Sequence, residues 1–348
     1  MSARLHVLLG QGGVGKTTLA SAYALALAQG GRRVGLLGVD PAGRLRDALG
    51  MADLPELPAA VPGAPGLCVA LLRPAETLRR WAGEELGEER ARLMENPFFV
   101  ALADRLAAAT DALAAVRVAE WAEADPALDD LVVDTAPGLP GLEFLGKPEQ
   151  LLSLLHGHLF RWLSAAAATS VLEREGRRVL RGLARIAGGR VLLELGEFSL
   201  LIERVASAMV GRLEHAKVWL RDENTELLLV CAARTGAAAG ARVLAGELRG
   251  LGLTPGPAVL NRALPRALIA APLEDVSGES LAFRRFVAAS ARLQAETARE
   301  LSASFRVAEV PIAPGLDAGG PARLSALAAL GVQLIAALAD PALRSGTR

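Results

Sequence analysis

Lysine, cysteine and tyrosine are nearly missing from this 348-residue chain. Of its 38 basic residues only Lys16, Lys147 and Lys217 are lysine, so its positive charge is almost all guanidinium. Two cysteines, Cys68 and Cys231, stand far apart in apolar runs. They build neither a disulfide framework nor a paired-thiolate metal site, and four scattered histidines do not compensate. Charge of one sign is lacking too: 38 acidic residues balance the 38 basic ones, with no long run of either. Nothing in that balance attracts nucleic acid, and no nucleic-acid partner is expected. Uncharged runs such as 162–172 read as too short to span a bilayer, and the first residues lack the layout of a signal peptide. The expected compartment is a reducing cytoplasm. What is abundant is apolar. Hydrophobic residues make up 52% of the chain against 22% charged, and alanine and leucine carry the mean hydropathy of +0.32. That composition belongs to a globular chain rather than a disordered one.

Short apolar runs read as buried strands at 4–10, 32–40, 66–72, 129–137, 226–232, 257–261 and 305–312. Between the first two lies an alanine-rich helical stretch, 16–31, that stops on Gly30 and Gly31. Strand, glycine loop, helix and strand make a βαβ unit, which predicts a parallel sheet. Two helical blocks interrupt the strands, at about 74–125 and 145–222. In the second, Phe198, Leu201, Ile202, Val205 and Met209 share one face. Together with Phe160 and Trp162 they read as the core of a helix bundle rather than as a client groove. The last helix, about 321–339, carries only Arg323 as a basic residue, which speaks against binding anionic lipid.

Residues 10–18 read GQGGVGKTT. Gly10, Gly12, Gly13 and Gly15, with Val14 among them, let the backbone curl so that its N–H groups face an anion. The helix that follows turns its positive end to the same point. Lys16 is placed to reach the β- and γ-phosphates of ATP, Thr17 to ligate Mg2+, and Thr18 to bond the α-phosphate. Asp134 ends the strand in LVVDTAP and fits a Walker-B role, holding a water on Mg2+; capping a turn is the competing reading. Asp40 ends the second strand in GVDPAGRLRDALG, on the ligand edge of the sheet. There it either orients an attacking water or caps the helix that starts near Pro41, and the two roles are compatible. The expected architecture is α/β: a single P-loop NTPase domain over 1–348, its parallel-stranded sheet flanked by helices, with the two insertions forming a helical subdomain.

These motifs together resemble the arsenite-pump and tail-anchored-protein targeting ATPases, a family of the deviant Walker A class. The resemblance covers nearly the whole chain and is tightest at the nucleotide loop, at DPA (40–42) and at DTAP (134–137). It implies that the loop from Gly10 to Thr18 binds nucleotide throughout, Gln11 included, and that Asp40 positions the attacking water. It also implies that Asn261 in AVLNR reads adenine and that PIAPGLD (311–317), with Pro311 and Pro314, lines the base. Family members are nucleotide-switched dimers whose signature lysine at position 11 reaches the partner's phosphates. Here that position is Gln11. Gly138, Leu139 and Pro140 stand where Thr-Gly-His is usual, and ARTGAAAGA (233–241) replaces a segment where an acidic residue is expected. The zinc-binding cysteines of the targeting factors are missing, as is a cysteine set for arsenite. The block around LLELGEFSLLIERV looks more like the bacterial branch of the family.

The expected function is therefore an ATP-binding and ATP-hydrolysing dimeric switch. It would hydrolyse slowly, or a paralogue would supply the missing lysine in trans, and its partner would be a hydrophobic client or a membrane-associated protein. Arg44, in the first switch, is a candidate stand-in for that lysine. A weakly catalytic regulatory subunit of a hetero-oligomer is one alternative. The ATPase subunit of a metalloid or anion efflux pump is another, disfavoured by the cysteine count.

Overall fold

The computed structural model describes residues 3–39, 43–100, 110–136, 189–270 and 279–340. Its strands arise where the sequence is most continuously apolar. They are β1 (Arg4–Leu9), β2 (Val34–Gly38), β3 (Ala59–Ala60), β4 (Leu67–Leu71), β5 (Asp130–Asp134), β6 (Thr225–Ala232), β7 (Ala258–Ala263) and β8 (Val307–Pro311). All eight join one sheet in the order β3-β4-β2-β5-β1-β6-β7-β8. Every pairing is parallel except β3 with β4. The parallel-stranded expectation holds for seven of the eight strands, and only the two-residue edge strand β3 runs the other way. The connection over 61–66 is a tight turn, and a parallel crossover needs a dozen residues or more.

The helices among the described residues are α1 (Lys16–Gln29), α2 (Arg44–Leu49), α3 (Pro74–Leu86), α4 (Arg90–Met94), α5 (Thr110–Ala124), α6 (Gly189–Leu220), α7 (Ala237–Gly250), α8 (Arg266–Ala270), α9 (Glu279–Ser302) and α10 (Gly320–Ala339). The chain divides into two compact units. One comprises Met1–Leu71, Trp121–Leu142 and Trp219–Arg348, and the other Leu72–Glu120 and Glu143–Val218.

The first unit holds the sheet. Helix α1 is buried nearly all round, as its alanine and leucine content dictates, and lies between the sheet and α10. Small residues set that helix contact: a Cβ on Gly331 of α10 would collide with the Ala22 carbonyl of α1. Helix α10 is also long and apolar enough, by length and composition, to cross a membrane. This corrects the expectation drawn from the uncharged runs, because only Arg323 breaks the apolar stretch of 320–339. The run 162–172 lies outside the described residues.

In the second unit Leu78, Trp81 and Phe99 are fully buried. Phe198, Leu201, Ile202 and Val205 are buried together along α6, so the core reading of that face holds. The side chain of Met209, and Phe160 and Trp162, fall outside what the structure describes. The helical run expected over the first block is broken after Leu86. Gly87 there takes φ 54, and a 3-10 turn leads into the short α4. A polar knot sits in this unit. Glu120 accepts hydrogen bonds from Arg117 at 2.7 Å, Arg80 at 3.0 Å and the Trp81 indole at 3.2 Å.

A second polar cluster lies beneath α1 in the first unit. The His6 ring donates to Asp130 at 2.9 Å and reaches Glu226 at 3.3 Å, and Tyr23 stands edge-on to it. Burial alone would favour the neutral ring. The hydrogen bonds and charges of Asp130 and Glu226 outweigh it and hold the His6 pKa above the usual histidine value. A raised folded-state pKa gives stability that is fully present below the unfolded value and lost as pH rises through the folded one. Thermal melts between about pH 6 and about pH 9 are therefore expected to show wild type losing stability relative to His6→Asn as pH rises. Parallel profiles for the two proteins would refute this assignment of charge.

Candidate functional site

Because the strands from β4 to β8 run parallel, their carboxyl ends share one edge of the sheet, where ligands of open α/β folds bind. In register, Leu8 of β1 and Gly38 of β2 both pair with Asp134 of β5. The Val39 N–H donates to the Asp134 carbonyl at 2.9 Å. The glycine loop that follows β1 and the buried Asp134 carboxylate, only 1% exposed, therefore occupy neighbouring strand ends. Thr135 pins the next residue down, its hydroxyl donating to the Leu8 carbonyl at 2.6 Å. Asp40 lies outside the described residues, as does the Gly138-Leu139-Pro140 segment.

The loop's curvature is forced at Gly15. With φ 92 it starts α1 from the left-handed region, and a Cβ there would strike the Asn261 amide. Lys16 is buried and folds back along the loop, its ammonium donating to the Gly10 carbonyl at 2.9 Å and the Gln11 carbonyl at 3.3 Å. Thr17 and Thr18 follow, half-buried on the first turn of α1. No acidic residue occupies that turn, so the helix's positive end stays available to an anion.

Asn261, at the end of β7, is buried and donates its amide to the Val14 carbonyl at 2.8 Å. It braces the loop, a role the sequence did not suggest. The next residue, Arg262, holds a left-handed backbone at φ 58 where β7 slips register against β8. An L-residue there costs about 1–2 kcal/mol. Its Nε lies 3.8 Å from where a Cβ on Gly15 would stand, so the irregular backbone sets an arginine beside the loop. The segment after β8, with Pro311 half-buried and Pro314 exposed, is tied to β7 by the Ile312 N–H donating to the Ala263 carbonyl at 2.9 Å.

Gln11 is exposed, and its side chain reaches the segment after β6 rather than α2. Its Oε1 accepts a hydrogen bond from Arg234, and its Nε2 rests on Gly240 of α7. Arg44 stands exposed on the first turn of α2 and makes no hydrogen bond to Gln11. A cleft of about 160 Å3 opens between the loop and α7, lined by Gln11, Val14, Cys231, Arg234, Gly240 and Leu244 among others. Burial pushes the Cys231 thiol up to about 11, against the opposing charge of Arg234, so it stays protonated at neutral pH. Cys68, on β4, is separated from Cys231, on β6, by three intervening strands. At about 4.8 Å per strand the two thiols cannot converge on one soft ion.

The donors at the strand ends suit a hard cation. The Thr17 hydroxyl on the first turn of α1 and the buried Asp134 carboxylate at the end of β5 are oxygen donors, the kind that a hard cation such as Mg2+ takes.

A strand, a glycine loop wrapped by its own lysine, a helix, and a buried aspartate one strand away define a P-loop nucleotide-binding α/β protein. Residues 3–185 match the anion-transporting ATPase family, and the chain belongs to that family. It is also 29% identical over 352 residues to an uncharacterized protein of Streptomyces coelicolor, an alignment covering 94% of this chain and 76% of that protein. The family is one of ATP-binding ATPases.

Proposed function

We propose that this protein is an ATP-hydrolysing, nucleotide-switched dimer that works in the cytoplasm on a hydrophobic or membrane-associated partner. One observation carries the ATPase part. A single sheet edge gathers the loop with its buried Lys16, the Asp134 carboxylate and the Asn261 brace. On binding, the triphosphate takes over Lys16 from the Gly10 and Gln11 carbonyls, and the loop's N–H groups enclose it. Thr17 and Asp134 would hold Mg2+, directly and through water, and the ion would neutralise charge between the β- and γ-phosphates. Asn261 keeps its carbonyl oxygen for the amino group of adenine, and Pro311 and Pro314 lie on the segment tied to the same strand. Asp40, two residues beyond Gly38, takes the attacking water.

A second reading is a nucleotide-binding subunit whose turnover depends on a lysine-bearing paralogue. Gln11 favours it, because replacing a cation by an amide beside a triphosphate forgoes about 1–4 kcal/mol of screened attraction. Metalloid transport is not part of either reading, given the separated and protonated thiols. Turnover per chain, measured against protein concentration in ATP and Mg2+, separates the two. Rising specific activity that saturates with a dimer seen by sedimentation supports the homodimeric switch. Activity that stays negligible until a lysine-bearing homologue is added supports the second reading.

A further inference from the structure

Helix α9 is anchored at one end and bare at the other. Gln294, Thr297 and Leu301 are buried where its carboxyl-terminal half lies along β7 and β8. Over its first turns the apolar residues stay in the open. Phe283 is 57% exposed and Phe286 65%. From 282 to 289 six residues are exposed and two half-buried, so this end of the helix stands out as a ridge rather than lining a groove. Ala282, Phe286, Ala289 and Leu293 recur at i, i+4, i+7 and i+11 and share one side. Phe283 borders that side on one edge, and the exposed Arg285 and Arg292 border it on the other. Leu268 and Ile269 of α8, which packs beside α9, are exposed as well, with the exposed Arg266 just before them. An apolar patch of this kind with a charged border marks an interaction surface.

The border has one sign. Every charged residue from 280 to 295 is arginine; Glu274, Asp275 and Glu279 come before that stretch and Glu296 after it. A two-fold pairing of the ridge with a second copy would set arginine rows against each other, and an uncharged client would leave them without a counter-charge.

We propose that the amino-terminal half of α9, with α8 beside it, docks on the surface of an anionic lipid bilayer. The inference goes beyond the ATPase reading and stands without it. Phenylalanine on one side of a helix and arginine along its edge is the division found in interfacial helices. Their rings enter the boundary between headgroups and acyl chains, to a depth of about 5–10 Å, while the cations stay at the level of the lipid phosphates. A bilayer is a soft plane, so a protruding ridge sinks into it with no matching pocket. The long guanidinium stems lie along the apolar layer and keep their heads at its rim.

The test is co-sedimentation of the full chain with vesicles of phosphatidylglycerol and phosphatidylcholine in equal parts, against vesicles of phosphatidylcholine alone. Wild type is expected to partition about 10-fold or more strongly onto the anionic vesicles, and to come off them as salt rises to about 0.5 M and screens the arginines. Phe283→Ser with Phe286→Ser should lower partitioning by about 10²-fold, because two rings that are mostly in water before docking no longer enter the apolar layer. Arg285→Gln with Arg292→Gln should lower it by about 5-fold per arginine and flatten the salt dependence. All four side chains are exposed, so melts close to wild type are the expected folding control for both variants. Wild type that does not sediment with anionic vesicles, or sediments equally with neutral ones, would overturn the proposal. So would a phenylalanine variant that binds like wild type, which would move the membrane contact elsewhere, to the apolar α10 first. A phenylalanine variant that loses a dimer while keeping its vesicle binding would assign the patch to a second copy instead.

Discussion

Lys16→Ala is expected to cut ATP turnover by about 10³-fold or more, with little change in thermal stability. The ammonium is buried and already surrounded by the loop it serves, donating to the carbonyls of Gly10 and Gln11. Those carbonyls are substitutes for phosphate oxygens, so the lysine is held ready rather than recruited. Removing it takes away the one loop cation placed to follow charge as it develops on the β- and γ-phosphates. Lys16→Arg is expected to fail nearly as badly, because a rigid fork cannot follow the curl that the flexible lysine stem follows. Steady-state phosphate release, with circular dichroism melts as the folding control, measures both. Wild-type turnover in Lys16→Ala would move the chemistry away from this loop.

Glu120→Ala is expected to cost about 3 kcal/mol or more of stability, the largest effect we expect away from the nucleotide site. Glu120 gathers Arg117, Arg80 and the Trp81 indole, and the Arg117 side chain is only 3% exposed. Arg80 can turn to solvent when the carboxylate is lost, but the buried Arg117 guanidinium loses its 2.7 Å hydrogen-bonded partner where water cannot readily replace it. Replacing the pair together, Arg117→Met with Glu120→Leu, should recover much of the loss, since the desolvation cost disappears with the charge. The pH dependence runs opposite to that of His6. Burial works to raise the Glu120 pKa, but the hydrogen bonds and charges of Arg80 and Arg117 outweigh it and hold the pKa under the usual glutamate value. A lowered folded-state pKa gives stability that is present above the unfolded value and lost as pH falls through the folded one. Urea unfolding at neutral and at acid pH should show the Glu120→Ala deficit shrinking on the acid side. An unchanged deficit would mean that packing, not charge, holds this site together.

Much of the loop edge was legible because it is written in contiguous residues. A strand, GQGGVGKTT and a helix fix the loop and Lys16 with no reference to the rest of the chain. Asp134 was legible because it ends an apolar run, and the parallel sheet sends every such end to one edge. The partners of these residues were not. Arg234 meets Gln11 across 223 positions, and ARTGAAAGA read only as a segment where an expected acidic residue is replaced. Its glycine at 240 was the available signal, since a small residue inside a helix leaves room for something to approach. The bracing contact of Asn261 with Val14 and the left-handed Arg262 both depend on the order of strands and on a slip in register, neither of which local periodicity encodes. The His6 and Glu120 clusters escaped for the same reason: His6 binds carboxylates from two other strands, and Glu120 binds an arginine 40 positions away. Helix boundaries in the second unit shifted where Gly87 permits a turn that the apolar pattern runs straight through.

The most direct test of the nucleotide site is a calorimetric titration of the full chain with ATP in Mg2+, repeated on Lys16→Ala. One ATP bound per chain, with Mg2+-dependent affinity that the variant loses, is the predicted result. No heat from the wild type, or identical isotherms from the two proteins, would contradict it.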